Sequence, residues 1–449
     1  MLTPDALAIP ILLSTAAFLP ADEAWPQFRG PNASSTTAAK LPTEWSADKN
    51  IAWTTKIPGS GWAQPVVVGD KVFIATAITD PPFLPKDMMK GVMDPSSTPD
   101  PKSKEPKAGP DMKIEWTLLC LDLKTGKETW KKTAAAGKPK YAIHPSNTFA
   151  TETPCADAER VYAFFGQAGV AIAYDHAGKE LWKKDVGAFP GSAGLGLGAS
   201  PSLHDGKLFI PLTNETKATI LCLEAKTGNE LWKIERAKPG TSWATPYVWK
   251  NKSRTELVVL GKGIVSGHDL KDGAELWKLT NVDSSFSSSA TGSDDIVIFG
   301  NGGPGSKSPL FGVKAGAKGD ISLKDGETAN DYIAFYKTGS APGMSSPVID
   351  GKYVYVTGSG SINCYEAETG KKIYTERLKG ARMIAASPIL AGSTLYIVEE
   401  SGKTHLVKTG PEFELLGTNV LDDLVWSSPA IAGDRVLIRG TKALYCIQR

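Results

Sequence analysis

A chain of 449 residues that is 41% hydrophobic can bury a large core, and its formal net charge of +2 marks neither a nucleic-acid-binding nor an anionic-membrane surface. Its five cysteines include no Cys-x-x-Cys pair, which excludes a disulfide framework and a haem attachment motif. Length alone would permit two or three domains.

The chain opens on an apolar stretch, Ala6 to Leu19, followed by Pro20-Ala21-Asp22-Glu23-Ala24. This pattern resembles a signal peptide with a small-residue cleavage site, so residues 1–24 are read as a leader and the mature protein as periplasmic or secreted. It departs from the usual leader in having Asp5, and no Lys or Arg, before the apolar run. No cysteine precedes Cys120, so no lipid anchor is expected, and no later run is long enough to span a bilayer. Residues 25–50 are read as an N-terminal arm. Asn50-Ile51-Ala52-Trp53-Thr54 then reads as a spare strand carrying a Trp.

From residue 63 two elements alternate. The first is a small residue, Ser or Thr, and Pro, placed at the start of a strand, where Pro is tolerated. Eight such openings occur: Ala63-Gln64-Pro65, Glu152-Thr153-Pro154, Ala199-Ser200-Pro201, Ala244-Thr245-Pro246, Ser288-Ser289-Ala290 (without its Pro), Ser345-Ser346-Pro347, Ser387-Pro388 and Ser428-Pro429. The second is an apolar run, a Gly turn and an outer-strand aromatic. Leu121-Asp122-Leu123-Lys124-Thr125-Gly126-Lys127-Glu128-Thr129-Trp130 returns in phrases ending at Trp182, Trp232 and Trp277, and in a degraded copy ending at Tyr374. The turn Gly supplies the positive φ that a short hairpin requires.

Self-similarity near 50 residues means a solenoid, propeller or array, and four short strands per copy means propeller blades. The expectation is an all-β, eight-bladed propeller of four-stranded antiparallel blades spanning 51–449. The last copy ends one strand short at Ala443-Leu444-Tyr445-Cys446-Ile447, so the strand at 51–57 is expected to complete it and close the ring. Trp53, Trp130, Trp182, Trp232 and Trp277 are read as docking residues, and the last four are expected to be largely buried between blades. Cys120, Cys222, Cys364 and Cys446 share one strand position in four blades and read as small core residues. Residues 78–116 interrupt the first blade with a Pro-rich insertion read as mostly irregular, either a solvated loop or a lid or partner-docking arm. Residues 300–331 read as a second, Gly-rich irregular stretch.

These repeats resemble the PQQ-like β-propeller family, related in fold to quinoprotein alcohol dehydrogenases. The Asp-x-x-Thr-Gly-x-x-x-Trp phrase is similar to that family's tryptophan docking motif. The start Trp25-Pro26-Gln27-Phe28-Arg29-Gly30-Pro31-Asn32 with Leu41-Pro42-Thr43-Glu44-Trp45 resembles a subgroup of bacterial envelope proteins. The repeats also resemble the propeller component of outer-membrane protein assembly. A propeller is a scaffold for many activities, so the resemblance speaks to fold before function.

Residues just before the inner strands should gather at one mouth of the channel: Trp62, His144, Asn147, Trp243, Phe286, Met344, Arg382 and Trp426. Three tryptophans and an Arg there could stack on a flat anionic ligand, or could plug the mouth and pack on loops. The dehydrogenases of the resembling family carry a vicinal Cys-Cys pair and a calcium ion. This chain has no Cys-Cys, its doublets Asp294-Asp295 and Asp422-Asp423 read as solvated turns, and its histidines lack metal-ligand spacing. No catalytic residue and no metal site are assigned from the sequence. The reading is a non-catalytic, monomeric binding scaffold for a protein or small ligand. A PQQ-dependent oxidoreductase with calcium and a carbohydrate-binding propeller stand as alternatives.

Overall fold

In the computed structural model, which describes residues 24–94, 108–236, 240–282, 285–302 and 307–449, eight antiparallel sheets follow one another around an axis. The leader lies outside the described residues, as does the middle of the insertion, 95–107. Blade 1 is Val66–Val68, Lys71–Asp80, Lys113–Asp122 and Glu128–Gly137, from inner to outer strand. Blades 2 to 7 repeat that order. Blade 8 takes Ala430–Ala432, Arg435–Arg439 and Leu444–Ile447 from the end of the chain and Ile51–Thr55 from its beginning. Trp53 pairs with Cys446 there, so the ring closes as the spare strand predicts. Arg439, fully buried, ties blade 8 to blade 1 through the Ala75 and Ala63 carbonyls.

The Ser/Thr positions of the eight openings form a continuous belt. The Gln64 N–H donates to Thr153 Oγ1 at 2.9 Å. Thr153 N donates to Ser200 Oγ, Ser200 N to Thr245 Oγ1 and Thr245 N to Ser289 Oγ. Ser289 N donates to Ser346 Oγ, Ser346 N to Ser387 Oγ and Ser387 N to Ser428 Oγ. Each blade thus spends the hydroxyl of the next as acceptor for a backbone N–H that no sheet satisfies. Gln64, which has no hydroxyl, closes the belt differently: its amide nitrogen donates to the Pro429 carbonyl.

A second contact joins the blades farther out. A Cβ added to Gly126 would lie 2.5 Å from the Trp53 ring, to Gly178 3.0 Å from Trp130, and to Gly228 2.7 Å from Trp182. All three glycines have positive φ, so the repeated Gly serves both turn and close approach. The indoles of Trp53, Trp130 and Trp182 donate to the carbonyls of Leu123, His176 and Ala225 in the following blade. Trp53, Trp130, Trp182 and Trp232 are mostly covered, though none of the four is fully buried. Trp277 alone of the five is fully buried, and it donates to Glu256 of its own blade. Phe335 takes the aromatic position in blade 5 and packs on Gly370.

Blade 7 has Gly417 at that position, opposite Leu406. Trp45, from the arm, fills the vacancy. It stacks on Tyr396 with centroids 6.4 Å apart and planes at 1°, and its backbone N–H donates to Asn419 Oδ1. In blades 1 to 3 the outer Trp meets Phe73, Tyr162 or Phe209 at the strand position that Tyr396 occupies in blade 7.

Three expectations are corrected. The insertion is narrower than 78–116, since Ile78–Asp80 pair with Lys113–Glu115 and extend the first-blade hairpin. It also holds a short helix, Met88–Val92. The stretch 300–331 is not irregular throughout: the apolar Leu310–Lys314 is the third strand of blade 5, and Gly319–Asp320 adds to the outer edge of blade 4. Asp423 is no solvated turn. It is 5% exposed and accepts hydrogen bonds from Thr441, Lys442 and Tyr445. The five cysteines are buried and free, and Cys120, Cys222, Cys364 and Cys446 each oppose an outer-strand aromatic.

Candidate ligand site in the channel

The arm closes one end of the channel. Trp25 pairs with Val67 of blade 1, the Pro26 carbonyl accepts from Ala156 of blade 2, and Gln27 Oε1 accepts from Leu203 of blade 3. Arg29 then sends its guanidinium to the carbonyls of Ala290 and Pro347, in blades 5 and 6, and to Ser35 Oγ. Its own N–H donates to Gln64 of the belt. Thr36–Thr37 pairs in parallel with the inner strand of blade 7. The arm is therefore a floor, stitched to six of the eight blades.

Above this floor lies a cavity of about 1160 Å³, open at the opposite mouth. Phe28 forms part of its base, and Trp62, His144, Asn147, Trp243, Met344 and Trp426 of the expected set line it. Phe286 does not. Its carbonyl accepts from Trp243 N at the mouth, but its ring is buried edge-on to Phe299, while Ser285 and Ser287 on either side line the cavity. Arg382 is exposed and absent from the lining, where Met383 and Ala385 appear instead. Both misplacements follow from alternation in an extended segment, where neighbours face opposite ways.

The mouth tryptophans are held by loops. Trp62 and Trp426 stack at 5.8 Å, and their indoles donate to Ser146 O and Glu400 Oε1. Trp243 donates to Gly196 O. Asn147 is likewise committed, its amide donating to Leu195 O. Glu400 also accepts from Met88 N at 2.7 Å, which latches the insertion helix over the mouth; burial pushes its carboxyl up. Met88 and Val92 of that helix line the cavity. Burial lowers the pKa of His144, whose Nδ1 accepts from Ser146 N. Glu152, the first residue of the second opening, is buried behind the lining, and burial pushes its carboxyl up to about 7. Its sequence signal was a Glu at the small-residue position of an inner-strand opening.

A calcium-assisted quinone needs carboxylate oxygens around the ion. Among the described residues no Asp or Glu lines the cavity, and no group of three His, Cys, Asp or Glu side chains is placed to hold a metal. The donor set present does not fit that ion. Lys262 is the one Lys or Arg on the described lining.

The model of a family described as "Outer membrane protein assembly factor BamB" matches residues 166–409, more than half of the chain. A polyvinylalcohol dehydrogenase from a Pseudomonas species is 25% identical over 285 residues, which cover 54% of this chain and 37% of the relative. The chain thus matches well under half of that relative's length. Among solved structures, the quinohemoprotein alcohol dehydrogenase of Comamonas testosteroni superposes with a TM-score of 0.61 at 11% identity, covering 94% of this chain and 80% of the other. The enzyme ADHIIG of Pseudomonas putida HK5 gives 0.58 at 10% identity, covering 94% and 76%. At such identities the likeness is one of fold.

Proposed function

The chain belongs to the PQQ-like propeller family of the outer-membrane assembly factor BamB, and on that footing we propose that it is an exported, non-catalytic binding propeller. Its channel, floored at one end and open at the other, takes a small ligand or a segment of a protein partner at the mouth. The observation that carries this reading is the lining: aromatic rings, hydroxyls and amides surround a large cavity, and among the described residues no carboxylate lines it to act as base or metal ligand. Among the described residues no helix is long and apolar enough to cross a membrane.

A second reading, a PQQ-dependent oxidoreductase, is favoured by the likeness to polyvinylalcohol dehydrogenase. Titration with PQQ, with and without calcium, separates the two, since Trp62, Trp243 and Trp426 report from the mouth by fluorescence. The binding reading expects no calcium-dependent quenching. Saturable quenching that requires calcium would overturn it.

A further inference from the structure

The belt hydroxyls have a property that their structural role leaves unused. A serine or threonine hydroxyl carries one donor and two acceptor sites. In the belt each hydroxyl accepts one backbone N–H, and none of them donates to an acceptor among the described residues. These residues are at most 6% exposed, and Thr153, Ser200, Thr245, Ser289, Ser387 and Ser428 line the cavity. Buried donors of this kind require an acceptor, whether a ligand or ordered water.

The surroundings bias the choice of acceptor. Arg29 lies one residue below the belt, bonded to the carbonyls of Ala290 and Pro347, which follow belt residues Ser289 and Ser346. Its charge is met by carbonyl and hydroxyl oxygens and by no carboxylate among the described residues. Lys262 adds a second cation on the wall, and no described carboxylate opposes either. A ring of spare O–H donors above a buried guanidinium attracts negative charge, and donors to a charged acceptor bond more strongly than to water.

We propose that the channel seats an oxyanion, the carboxylate or phosphate group of a small acidic ligand, on the belt hydroxyls, with the rest of the ligand extending toward the mouth tryptophans. This rests on the binding reading above and names the chemistry of its ligand. The proposal assigns each belt residue two tasks: its oxygen holds the neighbouring blade, and its proton faces the ligand.

Calorimetric titration of the mature protein with citrate and with inorganic phosphate, in buffer free of both and without calcium, tests it. Saturable binding of either anion is expected, citrate alone pointing to a carboxylate ligand and phosphate alone to a phosphorylated one. Lys262→Met, at an exposed lining position, leaves the fold intact and should weaken binding about tenfold, the loss of one charge-assisted bond. Thr245→Val removes a belt proton and should weaken binding further; thermal melting verifies that the variant is folded. Silence with both anions, a response to sorbitol equal to that for citrate, or crystals grown with citrate that show only water at the belt would overturn the proposal. The first and last leave a neutral or protein ligand at the mouth untouched, whereas the binding reading itself falls to calcium-dependent quinone quenching or turnover, both separate readouts.

Discussion

The two ends of the channel use similar residues to opposite effect. At the floor, polar groups are consumed internally: Gln27, Arg29 and Gln64 bind backbone groups of four different blades. At the mouth, loops hold the tryptophans by their indole N–H groups but leave ring faces and hydroxyls on a wide cavity. The floor is a structural closure made by a segment outside the repeats. The mouth is a surface that the repeats present. Stability and binding are thereby assigned to opposite ends, and substitutions can separate them.

The largest effect is expected at the floor. Arg29→Met leaves the Ala290 and Pro347 carbonyls buried without donors, at about 1–3 kcal/mol each, so urea denaturation should show a loss of about 3–5 kcal/mol. A loss near zero would mean that the arm is not part of the cooperative unit.

Next comes the seam that the arm repairs. Trp45 is 4% exposed and replaces the aromatic missing from blade 7, so Trp45→Ala should cost about 3–4 kcal/mol. The half-buried Trp182→Ala should cost less, about 2 kcal/mol on the same scale. Equal losses would contradict the contrast between a fully and a partly covered ring.

The third effect lies behind the cavity wall. The Glu152 carboxyl is raised from 4.5 to about 7 by burial, so the folded state holds its proton more tightly than the unfolded chain. Its contribution therefore falls as pH rises from about 4.5 to about 7 and is flat above, with an amplitude of roughly 3 kcal/mol. Glu152→Gln should remove that slope from the pH dependence of the denaturation midpoint. An unchanged slope would place the titration elsewhere.

The ring and its closure were legible in the sequence because each blade repeats its Ser/Thr-Pro opening and its Gly turn, and because the spare strand at Trp53 answers the missing one after Ile447. The belt was not legible as a belt: the same openings read as strand starts, and their hydrogen bonds join residues some 41 to 89 positions apart. The arm was legible only as a family-like phrase without a place, since nothing local tells Arg29 to cross the axis or Trp45 to stand in for a residue at position 417. At the mouth, six of the eight candidate residues line one cavity. Phe286 and Arg382 do not, because a single step along an extended segment reverses a side chain, and sequence spacing fixes the loop but not that step.

The most direct test of the central claim is dye-coupled oxidation of primary alcohols and of polyvinyl alcohol by the purified protein loaded with PQQ and calcium. A non-catalytic binding propeller predicts a rate no higher than that of the cofactor without protein. A saturable, protein-dependent rate that disappears in Trp243→Ala would contradict it and make the channel an active site.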